Sequence, residues 1–345
     1  MVQEKMVFQI KGGITMYQVQ SLRLMTRQLK LLAAVVLSVL LWGVSVIPAF
    51  AATPQQTKNA SATLAYNLVG LNHVGGVNQF HIGTTYIYIT QKSLGTTHIS
   101  RLLMSGNNAT YVDEMTITNA GHGETLNMYN YNGVDYLYIG SKANTVNDYR
   151  WSLQIARVQY TPGATYDYTD LHRFTYMNYA NQNGTSLGTN YRVAAGGNSS
   201  YTLFRIQTEE GSITWSIYDT VKLNQLLDNN VQVAMNSTGA KAAWVKGFTQ
   251  TGSNKVRPND SFQGVDMIGQ SAIYTSGGLE GQTPGIAYMT NTGVYKTLVN
   301  ITNVGTHEIE GMATRDNNVY FNIIADPTNK QTSQKIYYVP ESVFQ

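Results

Sequence analysis

Cysteine is absent from the 345 residues. Disulfide frameworks, thiolate zinc sites, iron–sulfur clusters and cysteine nucleophiles are excluded together. Charge is scarce as well, at 12% of residues where ordinary globular domains carry about 25%. The formal net charge of +3 comes from the segment before residue 52, in which Lys5, Lys11, Arg23, Arg27 and Lys30 face only Glu4. Setting those five bases aside from 23 and that acid from 20 leaves 18 against 19, a net of −1. A body so nearly neutral exerts no general pull on nucleic acid or anionic lipid. Also missing are EF-hand loops, a Walker A motif, a dinucleotide fingerprint and, beyond residue 60, any long helical period. What is present is 43% hydrophobic residues, with 24 Tyr and 31 Gly. That is enough for a sizeable core, so general disorder is excluded.

Residues 1–51 read as a secretory signal peptide. Arg27 and Lys30 precede an apolar run over residues 31–41, and Ala49-Phe50-Ala51 forms an A-x-A cleavage pattern. A retained membrane anchor is the alternative, but the apolar stretch over residues 31–47 is a little short to span a bilayer. Met25 begins a leader of ordinary length, so the true start codon is open. Cleavage after Ala51 is expected, followed by a polar tether over residues 52–60 and one domain over 61–345. No stable membrane span is expected once the leader is removed.

Within that domain one phrase recurs five times, a short aromatic and β-branched strand led by Gly, Asn or Ser. Its copies cover residues 83–89, 132–139, 198–206, 269–275 and 317–323. A second apolar strand follows each copy, near residues 99–104, 151–160, 213–218, 285–289 and 335–339. Two copies share a lead, Phe262-Gln263-Gly264 and Ile309-Glu310-Gly311, with a glycine inside strand alternation where another backbone must come close. Five units of about four short strands predict an all-β fold, a five-bladed β-propeller. A β-sandwich is the competing architecture, but the spacing follows whole four-strand units rather than even hairpins. Residues 62–69 form an orphan strand and the last unit is one strand short. Pairing the two closes the ring through an N-terminal strand and removes the free edges. Deleting residues 52–58 should then be nearly silent, and deleting 52–70 should abolish cooperative unfolding. One inserted helix is predicted over residues 219–229, with Asp219 as its cap and Val221, Leu223, Leu226 and Leu227 as its apolar positions.

Few residues announce chemistry. Gly184-Thr185-Ser186-Leu187-Gly188 has the letters of a nucleophile elbow but lies in a polar loop without the strand and helix that motif requires. The six histidines show no zinc-type spacing, so neither metal nor cofactor is predicted. Tyr129-Asn130-Tyr131-Asn132 and Tyr176-Met177-Asn178-Tyr179 have the composition of a sugar-binding surface, or equally of ordinary strand faces. Ligands of propellers gather where the first strand of each blade meets the channel mouth. The repeat places Gln79, His122, Glu124, Arg192, Gln263, His307, Glu308 and Glu310 at or before those strands. They are candidates for one small polar site, and no residue among them is assigned as catalytic.

Residues 151–158 (Trp151-Ser152-Leu153-Gln154-Ile155-Ala156-Arg157-Val158) and 170–178, which contain Asp170-Leu171-His172-Arg173-Phe174, resemble the helveticin J family. So do Ser216-Ile217-Tyr218-Asp219, Ser261-Phe262-Gln263-Gly264 and His307-Glu308-Ile309-Glu310. That family comprises large, heat-labile bacteriocins and bacteriocin-like proteins of lactobacilli. The resemblance covers most of residues 65–340 and implies export and inhibition of related bacteria, with an envelope component or glycan as partner. It brings no catalytic residues with it. A cell-surface adhesin or carbohydrate-binding propeller without killing activity is the alternative. An enzymatic propeller, a glycosidase or lyase, stands behind both because no acid–base pair is fixed by the sequence.

Overall fold

Runs of β-branched and aromatic residues between Gly and Asn turns fold as strands, and residues 52–345, which this computed structural model describes, contain 23. The expected leader, its expected cleavage site and the question of the start codon lie outside those residues. The chain first lays down β1 (Gln56–Ala60) and β2 (Thr63–Val69), both of which join later blades. Blade 1 is an antiparallel meander of β3 (Val77–Ile82), β4 (Tyr86–Ser93), β5 (Thr96–Ser105) and β6 (Asn108–Thr118). Blade 2 contains β7 (Leu126–Tyr131), β8 (Val134–Ala143) and β9 (Ser152–Val158). The chain then adds β10 (Thr165–Asp167) to the edge of blade 1 before β11 (His172–Thr175) completes blade 2. Blade 3 starts with β12 (Asn190–Gly197), β13 (Tyr201–Thr208) and β14 (Ile213–Asp219).

The predicted helix follows as α1 (Thr220–Asn229), whose cap Asp219 accepts a hydrogen bond from the Lys222 N–H at 3.0 Å. Leu223 and Leu227 bury themselves between blades 2 and 3, while Val221 stays exposed. Next come β15 (Gln232–Ala234) on the edge of blade 2, the short α2 (Thr238–Ala243), which the sequence pattern did not announce, and β16 (Trp244–Gln250) closing blade 3. Blade 4 is β17 (Gly264–Ile268), β18 (Ala272–Gly277), β19 (Gly285–Thr290) and β20 (Tyr295–Ile301). Blade 5 is β21 (Ile309–Arg315), β22 (Asn318–Ile324) and β23 (Gln334–Pro340).

The fifth blade takes its fourth strand from the other end of the chain. β2 pairs antiparallel with β23, from Thr63↔Tyr338 to Asn67↔Lys335, so the ring is closed by the strand expected to do so. β1 departs from expectation. Residues 56–60 are not a tether: they pair in parallel with β20 from Gln56↔Thr297 to Ala60↔Ile301. An outer edge needs a backbone partner rather than apolar side chains, which is why a polar sequence serves there.

The first strands β3, β7, β12, β17 and β21 meet around the axis. Glycine permits the closest approaches. A Cβ at Gly311 would lie 2.5 Å from the Gln79 Cα, and one at Gly264 would lie 2.9 Å from the Met312 N. One apolar cluster fills each of the five seams between neighbouring blades.

Candidate functional site

Because the five first strands run the same way, the residues at their starts converge on one channel mouth. Polar contacts there join neighbouring blades in turn. From blade 1, the Lys92 Nζ lies 2.8 Å from the His122 Nδ1 of blade 2, which is also 2.7 Å from the Tyr149 carbonyl oxygen. Burial and the adjacent ammonium pull His122 down to about 3, so it is neutral at physiological pH. Glu124 of blade 2 grips Arg192 of blade 3 through the Arg Nε at 2.8 Å and a second contact through Nη2. The Arg192 Nη2 also donates to the Phe262 carbonyl oxygen at 3.0 Å, reaching blade 4. Its guanidinium stacks 3.7 Å from the Trp151 ring centroid and 4.6 Å from that of Phe262. Desolvation first, and then nearby Arg205, pull Arg192 well below the usual guanidinium range against the opposing charge of Glu310.

Between blades 4 and 5, the Gln263 Nε2 donates to the Glu308 Oε1 at 3.1 Å, and Lys330 approaches the other oxygen at 3.7 Å. Glu310 is 9% exposed. Burial first, and then the charge of Glu308, raise its carboxyl well above the usual range, against the pull of Lys330, Arg192 and Lys92. A carboxyl pushed toward its protonated form, with a second carboxyl and two lysines near, offers both donors and acceptors to a hydroxyl-rich ligand.

Of the eight candidates, Glu124 bonds Arg192 and Gln263 bonds Glu308, His122 lies against the Trp151 ring that also stacks on Arg192, and Glu310 is within electrostatic reach of Glu308, Arg192 and Lys92. Gln79 does not join them, because its Oε1 accepts from the Phe80 N–H at 2.9 Å and the side chain is buried against Gly311. His307 turns to Glu280, with Nδ1 3.3 Å from Oε1, on an exposed loop. Lys92, Lys330 and Trp151 were missed. Lys92 was legible in principle, since the end of β4 lies beside the start of β3 in an antiparallel hairpin. Lys330 sits in the β22–β23 loop and left no signal.

Other expectations resolve clearly. The Gly184–Gly188 segment is loop, as its polar surroundings predicted. Tyr129 and Tyr131 are buried, while Asn130 is exposed and borders, with Tyr129, a cleft of about 350 Å³. Tyr176, 62% exposed with φ of 54°, borders a cleft of about 290 Å³ lined by Gln154, Asn178, Asn190 and Gln232. Away from the mouth, the fold assembles a group that no spacing suggested: His73, His98 and Glu114, whose ligand atoms lie within 4.8 Å of one another.

Residues 56–311 match the family described as bacteriocin helveticin-J. The chain belongs to the helveticin J family. No curated protein matches it by sequence. Among solved structures it is similar to an exo-β-1,3-galactanase from Phanerochaete chrysosporium, at 8% identity and a TM-score of 0.47. That match covers 81% of this chain and 64% of the galactanase, so the chain spans under two thirds of that enzyme's length. A GH43_1 enzyme from Xanthomonas citri (9% identity, TM-score 0.38, 82% and 90% covered) and the Aleuria aurantia lectin (11%, 0.35, 74% and 74%) are also similar. Likenesses this distant bear on neither substrate nor site. The propeller assignment rests on the strand order of this chain.

Proposed function

We propose that this helveticin J family protein is a secreted antibacterial protein that acts at the envelope of related bacteria by binding, without catalysis. The observation that carries the reading is the family match over residues 56–311. It is supported by a channel mouth whose polar side chains come from all five blades, a place built to hold a polar ligand. In this reading Gln263, Glu308 and Glu310, with Lys92 and Lys330, contact a glycan or other hydroxyl-rich envelope component, and Glu124 with Arg192 fixes the wall behind them. The test is inhibition of indicator lactobacilli by the purified protein and by the double variant Gln263→Ala, Glu310→Gln. The double variant should lose at least tenfold in activity while its Tm stays within a few degrees. Full activity in that stable variant would move the site to the outer loops.

A second reading, a surface adhesin or carbohydrate-binding propeller without killing activity, is favoured by the amide-lined cleft beside exposed Tyr176. Aromatic faces stack on sugar C–H groups while amides bond hydroxyls. Glycan-array binding lost in Tyr176→Ala, with no inhibition zone from the parent protein, would select it.

A further inference from the structure

We infer that His73, His98 and Glu114 bind a divalent transition-metal ion of the zinc class at the seam where the propeller ring closes. The His73 Nε2 is 2.8 Å from the Glu114 Oε2, and the two imidazoles stack with centroids 3.7 Å apart and planes 22° from parallel. A carboxylate here touches one imidazole while the second brings only its π face to the first; an ion between them would use all three groups at once. Two nitrogens and one oxygen suit zinc or a neighbouring transition metal and do not suit calcium or magnesium, which take oxygen. With ligand bonds of about 2.0–2.2 Å, atoms on one ion lie within about 4 Å of each other. The ligand atoms, all within 4.8 Å of one another, must therefore close by no more than roughly 1 Å.

The surroundings are already those of a ligand set. The His98 Nδ1 lies 3.3 Å from the Thr116 Oγ1, and donating there leaves Nε2 with its lone pair free for a metal. The Asn72 Nδ2 donates to the Glu114 Oε1 at 3.4 Å, and the Gln91 Nε2 donates to the His73 carbonyl oxygen at 2.9 Å, fixing the loop that carries the ligand. On the same face of blade 1, Ser100 is the register partner of Glu114, and Gln91 is that of His98. Both are fully buried, and the Ser100 Oγ and Gln91 Oε1 have no hydrogen-bond partner. They are spare polar capacity for a metal-bound water in the fourth position.

Position gives the ion its role. His73 lies on the connection leaving β2, the strand that completes blade 5, whereas His98 and Glu114 lie on β5 and β6 of blade 1. An ion held by all three would clip the exit of the closing strand to blade 1 and so steady the strand that pairs with β23.

The experiment uses purified protein stripped with a chelator. Titration with Co²⁺ should give visible d–d bands saturating at one equivalent, and Zn²⁺ should displace them. Zinc at a hundredfold excess over its Kd should raise the Tm by about 5–10 °C. His73→Asn and His98→Asn should each abolish the bands and the shift, while Thr116→Val, which leaves every ligand in place, should weaken binding about 10–100-fold. If either histidine variant does not fold, X-ray absorption on the zinc-loaded parent decides, two imidazole nitrogens near 2.0 Å being required. No saturable cobalt band, no zinc shift, an equal shift in both folded histidine variants, or a zinc spectrum without imidazole would each overturn the assignment.

Discussion

Removing the closing strand should cost this propeller its cooperativity, and the size of the loss follows from what β2 contacts. Leu68 is 2% exposed and packs with Val77, Phe80, Ile87, Ile89, Leu102 and Ile336 from both sides of the closing seam. Truncating such a leucine to alanine costs about 2–5 kcal/mol. β2 also makes four register pairs with β23 and three with β6. At about 1 kcal/mol for each backbone hydrogen bond, the whole strand is worth on the order of 10 kcal/mol. That equals the entire stability of an ordinary domain, about 5–15 kcal/mol. Urea titrations followed by the fluorescence of Trp151, Trp215 and Trp244 separate the cases. Leu68→Ala should unfold in one transition with an unchanged m value and about 2–4 kcal/mol less stability. A chain starting at residue 71 should show no single transition. One lacking residues 52–58 loses three of the five β1 pairs, all at an outer edge, and should fall by about 1–3 kcal/mol while remaining cooperative, a small cost where a tether would have given none. If the chain starting at residue 71 melts as sharply and at the same midpoint as the parent, closure by β2 is not what holds the ring.

Breaking the buried Glu124–Arg192 pair from one side, by Glu124→Gln or Arg192→Met, should cost about 3–5 kcal/mol, and replacing both partners with methionine should recover much of it. Single variants within 1 kcal/mol of the parent in urea would show that the pair is not buried as described. Gly311→Ala places a methyl 2.5 Å from the Gln79 Cα and 2.7 Å from the Asn78 carbonyl oxygen, so the inner strands must part, at about 1–3 kcal/mol or more. His81 is lowered from 6.5 to about 4, by burial first and then by Arg315. A depressed folded value means its contribution is complete above 6.5 and drains as pH falls toward 4. Urea midpoints at pH 7 and pH 4.5 should therefore differ more in the parent than in His81→Gln, by up to about 3 kcal/mol.

The repeat was legible because it is made of local chemistry. The strands led by Gly83, Asn132, Asn198, Gly269 and Asn317 carry their own turn residues and apolar alternation, and they fold as β4, β8, β13, β18 and β22. Gly264 and Gly311 could be read as sites of close approach because a glycine within strand alternation has few other reasons to be there. β1 was illegible for the opposite reason. An edge strand that pairs only through its backbone need show no pattern, and Gln56 to Ala60 looks like a linker until β20 lies beside it. Gln79 and His307 satisfied the repeat alignment, yet a single backbone hydrogen bond or a nearby loop carboxylate was enough to turn each away from the mouth. His73, His98 and Glu114 stand 25 and 16 positions apart, and only the return of β2 beside blade 1 joins them.

The same contacts that line the mouth also hold the blades in register, and this decides which variants can report on binding. Glu124 with Arg192 and the Phe262 carbonyl oxygen is a buried charged bridge across three blades, so its loss lowers stability and activity together. At the other end of the first strands, Asp266 of blade 4 plays a similar part, accepting from the Gly197 N–H of blade 3 at 2.8 Å and from the Thr314 N–H of blade 5 at 2.6 Å. Gln263 and Glu308, by contrast, meet through one half-buried hydrogen bond, and burial shifts Glu310 toward its neutral form, for which glutamine is nearly isosteric. Substitution at Gln263 and Glu310 therefore removes recognition groups while the charged bridges stay intact. A fall in activity there, at constant Tm, reads the site itself rather than the ring that carries it.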